Sequence, residues 1–377
     1  MRPNENTRSI RSILALLSVV VLAVYFTGCG DPTKPKDVKY NLYVGATHLA
    51  TSPEDSSFNR IYIYDADSLT LLDSIWQAHF TWQLDVAPDG RWLYVTDFTS
   101  YRTNPTVWKI DAHTKQVIWS RSDIWGVRCI ANGTLLLAGR DVLRADDGSF
   151  VRHLSDSLYP AWGPVSGTKI AAIGHTANPE GASEQIVRVI DVTTGEVSGG
   201  YVPHLSVGIT LEGIFTARLH PDGRRVLAIG AYGSVFNSWF VVGDVVTGQT
   251  LFEYRIQYPH GEITITEDGN LAAFTDPGTP SFGEVGIPYV VDLRIYRVTK
   301  APFNPDSMPI TGSQVRFLPR SDRIVTAPAA DPGFTDGGPL HVIDAATMTL
   351  EKTIWPTGSN LSVNWPRVGG IAIGPRP

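Results

Sequence analysis

Cysteine is nearly missing from this chain: 377 residues contain only Cys29 and Cys129. Too few thiols are present for a disulfide-stapled scaffold or a cysteine-built metal cluster. Charge is thin as well, with Asp, Glu, Lys and Arg at 18% and a net charge of −6. No block of Lys and Arg follows the N-terminus, so the electrostatic footprint of a nucleic-acid binder is absent and no nucleic-acid partner is expected. Nine histidines show no HxH or HExxH spacing for zinc, and G-x-S-x-G, P-loop and dinucleotide fingerprints are missing. No residue is marked as a catalytic nucleophile, and neither cofactor nor metal is expected.

Abundant instead are glycine (35), proline (26) and aromatics (10 Trp, 14 Tyr, 14 Phe), within 43% hydrophobic content. That mix suits many short strands joined by turns around a sizeable core. The one long apolar run is Ile13 to Phe26, preceded by Arg2, Arg8 and Arg11 and followed by "FTGC" with Gly28 directly before Cys29. At 14 residues it is short for a membrane span, which needs about 20. The run and its flanks resemble a bacterial lipoprotein signal, apart from Phe26, which stands where that family usually has Leu. The resemblance implies cleavage before Cys29 and acylation of its thiol and new amino group, so that the lipid holds the protein at a membrane outside the cytoplasm. Residues 1–28 are then the signal peptide, 29–39 a Pro-containing tether, and 40–377 the folded domain. Removing Arg2, Glu5, Arg8 and Arg11, net +2, leaves the mature chain at −8, with Cys129 as its only unmodified thiol.

The domain repeats itself. "LDVAPDGRWLYVTD" (from Leu84), "VRCIANGTLLLAGR" (Val127), "AWGPVSGTKIAAIG" (Ala161), "ARLHPDGRRVLAIG" (Ala217), "ITITEDGNLAAFTD" (Ile263) and "VRFLPRSDRIVTAP" (Val315) each read as strand, tight turn, strand. A second phrase follows in most units: "IYIYDADSLTLL", "VWKIDAHTKQVI", "VRVIDVTTGEVS", "FVVGDVVTGQTL" and "LHVIDAATMTLE". Each unit is therefore four antiparallel strands, and small sheets that cannot bury both faces alone must stack. The first unit lacks its innermost strand, and "GGIAIGPRP" at Gly369–Pro377 reads as that strand with the start of its turn. The expected fold class is all-β: a seven-bladed β-propeller of four-stranded antiparallel blades, the first completed by the C-terminal strand. Blade three, Trp125 to Ser155, is abbreviated. These phrases, most closely "YVTD" at Tyr94–Asp97 followed by "VWKID", resemble the YVTN-repeat β-propeller family. The resemblance covers the chain from about Tyr40 onward and implies a fold far more than a function.

Aligning the inner strands sorts their side chains by the period of two. The columns Leu84, Val127, Ala161, Ala217, Ile263, Val315, Ile371 and Val86, Cys129, Gly163, Leu219, Ile265, Phe317, Ile373 carry no charge and read as packing between blades. The column between them, Asp85, Arg128, Trp162, Arg218, Thr264, Arg316, Ala372, projects into the central channel, with His260 and Glu262 nearby. Guanidinium groups there suit carboxylate or phosphate, while pairing with Asp85 and Glu262 would relieve much of the cost of burying them. Of these two readings, pairing is the more favourable.

Segments after the second strands read as long loops carrying Phe58, Phe98, Tyr101, Tyr232, Phe236, Phe282 and Phe334 among polar residues. Such rings suit peptide or sugar surfaces, or else fold back on their own blades. Asp65, Asp111, Asp191, Asp244 and Asp344 recur where third strands end and read as turn formers, because Asp65-Ala66-Asp67 has no bidentate Glu following it as a calcium loop requires. The expected function is a lipid-anchored scaffold in the cell envelope, on the periplasmic face or outer membrane where two membranes exist, binding a protein, peptide or glycan. The alternatives are a periplasmic hydrolase or lactonase, in which Arg128, Arg218, Arg316, His260 and Glu262 polarise an acyl carbonyl and activate water, and a structural envelope assembly factor.

Overall fold

The structure, a computed structural model, describes residues 38–47, 59–77, 80–98, 105–124, 126–161, 163, 167–177, 183–256, 262–276, 287–301, 314–327, 339–356 and 367–377. Turn residues punctuate this sequence every few residues, and between them the described segments are mostly extended. Blade one opens with β1 (Tyr40–Thr47), β2 (Arg60–Asp65) and β3 (Leu71–Trp76). Blade two is β4 (Phe80–Val86), β5 (Trp92–Phe98), β6 (Thr106–Asp111) and β7 (Val117–Ser122). Blade three is β8 (Arg128–Ile130), β9 (Leu135–Ala138), β10 (Asp141–Arg144) and β11 (Phe150–His153), and blade four β12 (Tyr159–Pro160), β13 (Lys169–Ala177), β14 (Ser183–Asp191) and β15 (Val197–Tyr201). Blade five is β16 (Gly213–Leu219), β17 (Arg225–Tyr232), β18 (Ser234–Asp244) and β19 (Thr250–Ile256). Blade six is β20 (Ile263–Ile265), β21 (Leu271–Asp276), β22 (Ile287–Asp292) and β23 (Arg297–Lys300), and blade seven β24 (Gln314–Phe317), β25 (Arg323–Ala327), β26 (Leu340–Asp344) and β27 (Leu350–Ile354). The last strand, β28 (Arg367–Pro375), returns to blade one, whose order is β28-β1-β2-β3.

Every sheet is four-stranded and antiparallel, so the protein is a seven-bladed β-propeller. Closure follows the expected register, with Leu42 opposite Ile373, Tyr43 opposite Ala372 and Val44 opposite Ile371. The first strand of each sheet is innermost: β28 packs on β4, β4 on β8, β16 on β20, β20 on β24 and β24 on β28. The fourth strands form the rim, and their side chains are largely exposed in β3, β7 and β11.

Among the described residues no single central core exists. Seven apolar clusters occupy the seven interfaces between neighbouring blades, among them Leu42, Val44, Val342 and Ile371 between blades seven and one. Between blades five and six an aromatic stack does this work, with Phe240 and Phe274 at 4.5 Å and Phe274 and Tyr289 at 4.9 Å. Burial of this kind stabilises by about 25 cal/mol per Å² of apolar surface, which explains why blades unstable alone persist in a ring.

The recurring Asp residues are turn formers, as their spacing predicts. Oδ1 of Asp111 accepts the N–H of His113 at 2.9 Å and Thr114 at 2.8 Å, and Asp65, Asp191, Asp244 and Asp344 bond their turns in the same way. Blade three is short, with strands of three or four residues, and a 3-10 turn at Ala131–Gly133 replaces the Pro-Asp-Gly turn. Among the described residues, the inner strand of blade four departs from the alignment, pairing at Tyr159 and Pro160 before Ala161 donates its N–H to Ala171 O. Proline lacks an amide hydrogen, so the two prolines flanking this segment, Pro160 and Pro164, cannot donate to a ladder.

Candidate functional site

The apolar column next to the channel is buried as its pattern requires: Leu84, Val127, Ala161, Ala217, Ile263, Val315 and Ile371 are each at most 4% exposed. Register places the polar column at one level of the ring, with Asp85 opposite Tyr94, Arg128 opposite Leu137, Arg218 opposite Leu227, Thr264 opposite Ala273 and Arg316 opposite Val325. That level lies toward the hairpin-turn end of the inner strands. Asp85 stands five residues beyond Phe80, the start of β4, or about 17 Å of strand, and only Val86 separates it from the hairpin turn.

Glu262, one step nearer the strand starts, bridges the channel. Its Oε1 lies 2.6 Å from Nη2 of Arg128 on blade three, and its Oε2 lies 2.6 Å from Nη1 of Arg316 on blade seven. Side-chain exposure of these three residues is only 12–13%. Asp85 is more distant, with Oδ1 4.0 Å from Nη1 of Arg128. Its other oxygen accepts the Cys129 N–H at 2.6 Å, while Arg128 Nη1 donates to Leu84 O at 3.1 Å and Arg218 Nη1 to Ile263 O at 2.9 Å. The charged column thus also staples blade two to blade three and blade five to blade six.

The pairing reading holds, yet it does not consume every charge. Three arginines face two carboxylates, and among the described residues Arg218 has no carboxylate partner. Burial pulls the Arg218 guanidinium down to about 10, and the positive charge of Arg316 adds to this, although the group stays protonated at neutral pH. Burial alone would raise the Glu262 carboxyl, but Arg316 and Arg128 hold it below its ordinary range. A carboxylate clamped in this way is a weak base.

Sequence reading overlooked one feature of this level. Gln83 and Gln314 occupy the column of Glu262, and each gives its Oε1 to an inner-strand N–H of the next blade, at Val127 (3.1 Å) and Ile371 (2.9 Å). A glutamine before an apolar inner strand at two of seven positions was the available signal.

Cys29, Trp162, His260, Phe58, Tyr101, Phe282 and Phe334 lie outside the described residues. Phe98 and Phe236 belong to β5 and β18, with side chains outside the described set, and Tyr232 is 39% exposed at the end of β17. The segment around Tyr232 and Phe236, read from sequence as a long loop, is a tight hairpin pairing Tyr232 with Ser234. Gly233 takes φ of +67°, so a single residue turns the chain and the strands run on where polar composition suggested a loop. Among the described residues no helix is long and apolar enough to cross a membrane, and no group of three or more His, Cys, Asp or Glu could hold a metal ion.

No protein-family model matches this sequence, and no curated protein matches it significantly. Solved structures do resemble it. Hydrazine synthase of Kuenenia stuttgartiensis superposes with a TM-score of 0.55 at 17% identity over 84% of this chain and 99% of that one. The periplasmic gluconolactonase PpgL of Pseudomonas aeruginosa gives 0.53 at 14% over 90% and 100%. A putative 6-phosphogluconolactonase of Bacteroides fragilis gives 0.53 at 11% over 91% and 99%. At such identities the likeness is one of fold alone, and the class that fold and site define is a β-propeller with a charged channel.

Proposed function

We propose that this protein is a lipid-anchored binding propeller of the cell envelope whose channel takes an anionic group of a protein, peptide or glycan. One observation carries the reading: three arginines share one level of the channel with two carboxylates, of which Arg128 and Arg316 take both, leaving Arg218 with no acidic partner among the described residues. Guanidinium in a poorly solvated site is a strong and selective host for carboxylate or phosphate. The anchor rests on Cys29 and its flanking signal, and membership of the YVTN-repeat family on the quoted repeats. Tyr40 begins β1 beside Pro375, at the end of the blades where the hairpin turns lie.

The test is chemical crosslinking in native envelopes, comparing the full chain with Arg218→Ala. The reading expects partners that are lost in Arg218→Ala and retained in a surface control; an unchanged partner set overturns it. Cys29→Ser is expected to move the protein from the membrane to the soluble fraction.

Hydrolysis is the second reading, favoured by the convergence of Arg128, Arg316 and Glu262 at one point. Against it stands the clamped state of Glu262, which withholds the base that water activation needs. Turnover of a sugar lactone, lost in Glu262→Gln, would reverse the order of the two readings.

A further inference from the structure

Glu262 does something its column neighbours do not. Gln83 and Gln314 staple their blades to the next inner strand, and the corresponding amide for position 262 is that of Val315. Glu262 gives both oxygens to arginines instead, one on blade three and one on blade seven. A carboxylate has thus been placed where it spans the channel between two guanidinium groups, with a third, Arg218, at the same level and without an acidic partner among the described residues. Elsewhere in the ring the arginine–carboxylate pairs stay within one blade, as with the exposed Arg91 and Arg224 on Asp111 and Asp244. A single carboxylate shared across the ring is the arrangement of a bound ligand.

We propose that Glu262 is an internal surrogate for the ligand, and that a carboxylate-bearing ligand binds by displacing it from Arg128 and Arg316. This rests on the reading of the channel as an anion site. The charge beside the arginines is unchanged, since one carboxylate replaces another there and no proton moves, while the displaced Glu262 carries its own charge out to solvent. Glu262 then swings toward solvent, leaving the incoming group beside all three arginines, where Arg218 adds a contact that Glu262 does not make. A tethered competitor has a high effective concentration, so the wild-type protein binds its ligand weakly until the competitor is removed.

Calorimetric titration of the full-length protein with succinate tests this. Glu262→Gln is expected to bind succinate at least tenfold more tightly than wild type and to gain more thermal stability from it, and adding Arg218→Ala is expected to abolish that gain. A glycine tripeptide, free or amidated at its C-terminus, separates a chain end from a free acid; a gain with either carboxylate supports the proposal, and an equal gain with the amide overturns it. Equal affinity of wild type and Glu262→Gln overturns the surrogate role but leaves the anion site standing. Binding to neither, with Glu262→Gln folded, overturns both. Should Glu262→Gln fail to fold, Glu262→Asp, too short to hold both arginines, is expected to show part of the gain. A structure of the wild type saturated with succinate in which Glu262 still joins Arg128 to Arg316 also overturns the proposal.

Discussion

Arg376 holds Asp65: its Nη2 lies 2.6 Å from Oδ2 of the aspartate that ends β2, while its Nε donates to Asn41 Oδ1 at 3.0 Å. In blades two and five the arginine that follows the inner hairpin turn makes the same pair, Arg91 with Asp111 and Arg224 with Asp244. In blade one that arginine comes from the far end of the chain. The C-terminal segment therefore supplies blade one with both an inner strand and the side chain that locks its turn.

Arg376→Ala is expected to lower stability by about 1–2 kcal/mol, the range for a hydrogen bond to a charged partner, discounted for a side chain that is 30% exposed. Deletion of Arg367–Pro377 removes an entire inner strand, exposing Leu42 and Val44, and is expected to abolish cooperative unfolding. Urea titration followed by tryptophan fluorescence separates the two outcomes. A truncated chain that unfolds at the wild-type midpoint would show that the ring does not depend on its clasp.

His341 supplies a pH dependence. The ring is 1% exposed on β26, with neither nitrogen bonded among the described residues, beside Thr326, whose hydroxyl is likewise unpartnered. Burial brings its pKa down to about 4, so the folded protein holds it neutral while the unfolded chain protonates it near 6.5. Its neutral form is no handicap above pH 6.5, and stability falls as pH drops from 6.5 to 4, by up to about 3 kcal/mol in total. His341→Leu is expected to flatten the urea midpoint between pH 7 and 4; a slope equal to that of wild type would assign the dependence elsewhere.

Asp191 acts in a lower window. Burial would raise its carboxyl, but the hydroxyls of Thr193 and Thr168 and the turn amides hold it at about 2. A carboxyl depressed in the fold stabilises above its unfolded value of about 3.9 and loses that contribution as pH falls toward 2. Asp191→Asn is expected to cost about 1–2 kcal/mol at pH 7 and much less at pH 2. Equal cost at both values would mean that the turn needs the shape of the side chain and not its charge.

Most of the architecture was legible because each level of the sequence repeats: turns built of Pro, Asp, Asn, Ser or Gly mark the inner hairpins, and a terminal Asp marks the third strand of every blade except blade three. The same register exposed the channel column, so Asp85, Arg128, Arg218 and Arg316 could be placed from the sequence. What periodicity could not give was the partner of each charge. Arg128 and Glu262 are 134 residues apart and meet across the ring, a distance that depends on channel width and side-chain rotamer. Gly233 shows the converse limit, because one residue at positive φ turned an apparent loop into a hairpin. Pairing across a closed ring is a three-dimensional property that no local pattern carries.

Cys129 reports on ring opening. Its thiol is 2% exposed between blades two and three, and burial, reinforced by the charge of Asp85, pushes its pKa well up. Because only the thiolate reacts, the native protein is expected to resist alkylation, with labelling limited by opening of the blade interface. Arg376→Ala, which loosens the clasp, is expected to label about tenfold faster for each 1.4 kcal/mol lost, provided that opening exposes this interface. Denatured protein serves as the reference: acylation at Cys29 leaves one reactive thiol, whereas an unprocessed chain shows two. Rapid labelling of the folded wild type would mean that Cys129 is not sealed between its blades.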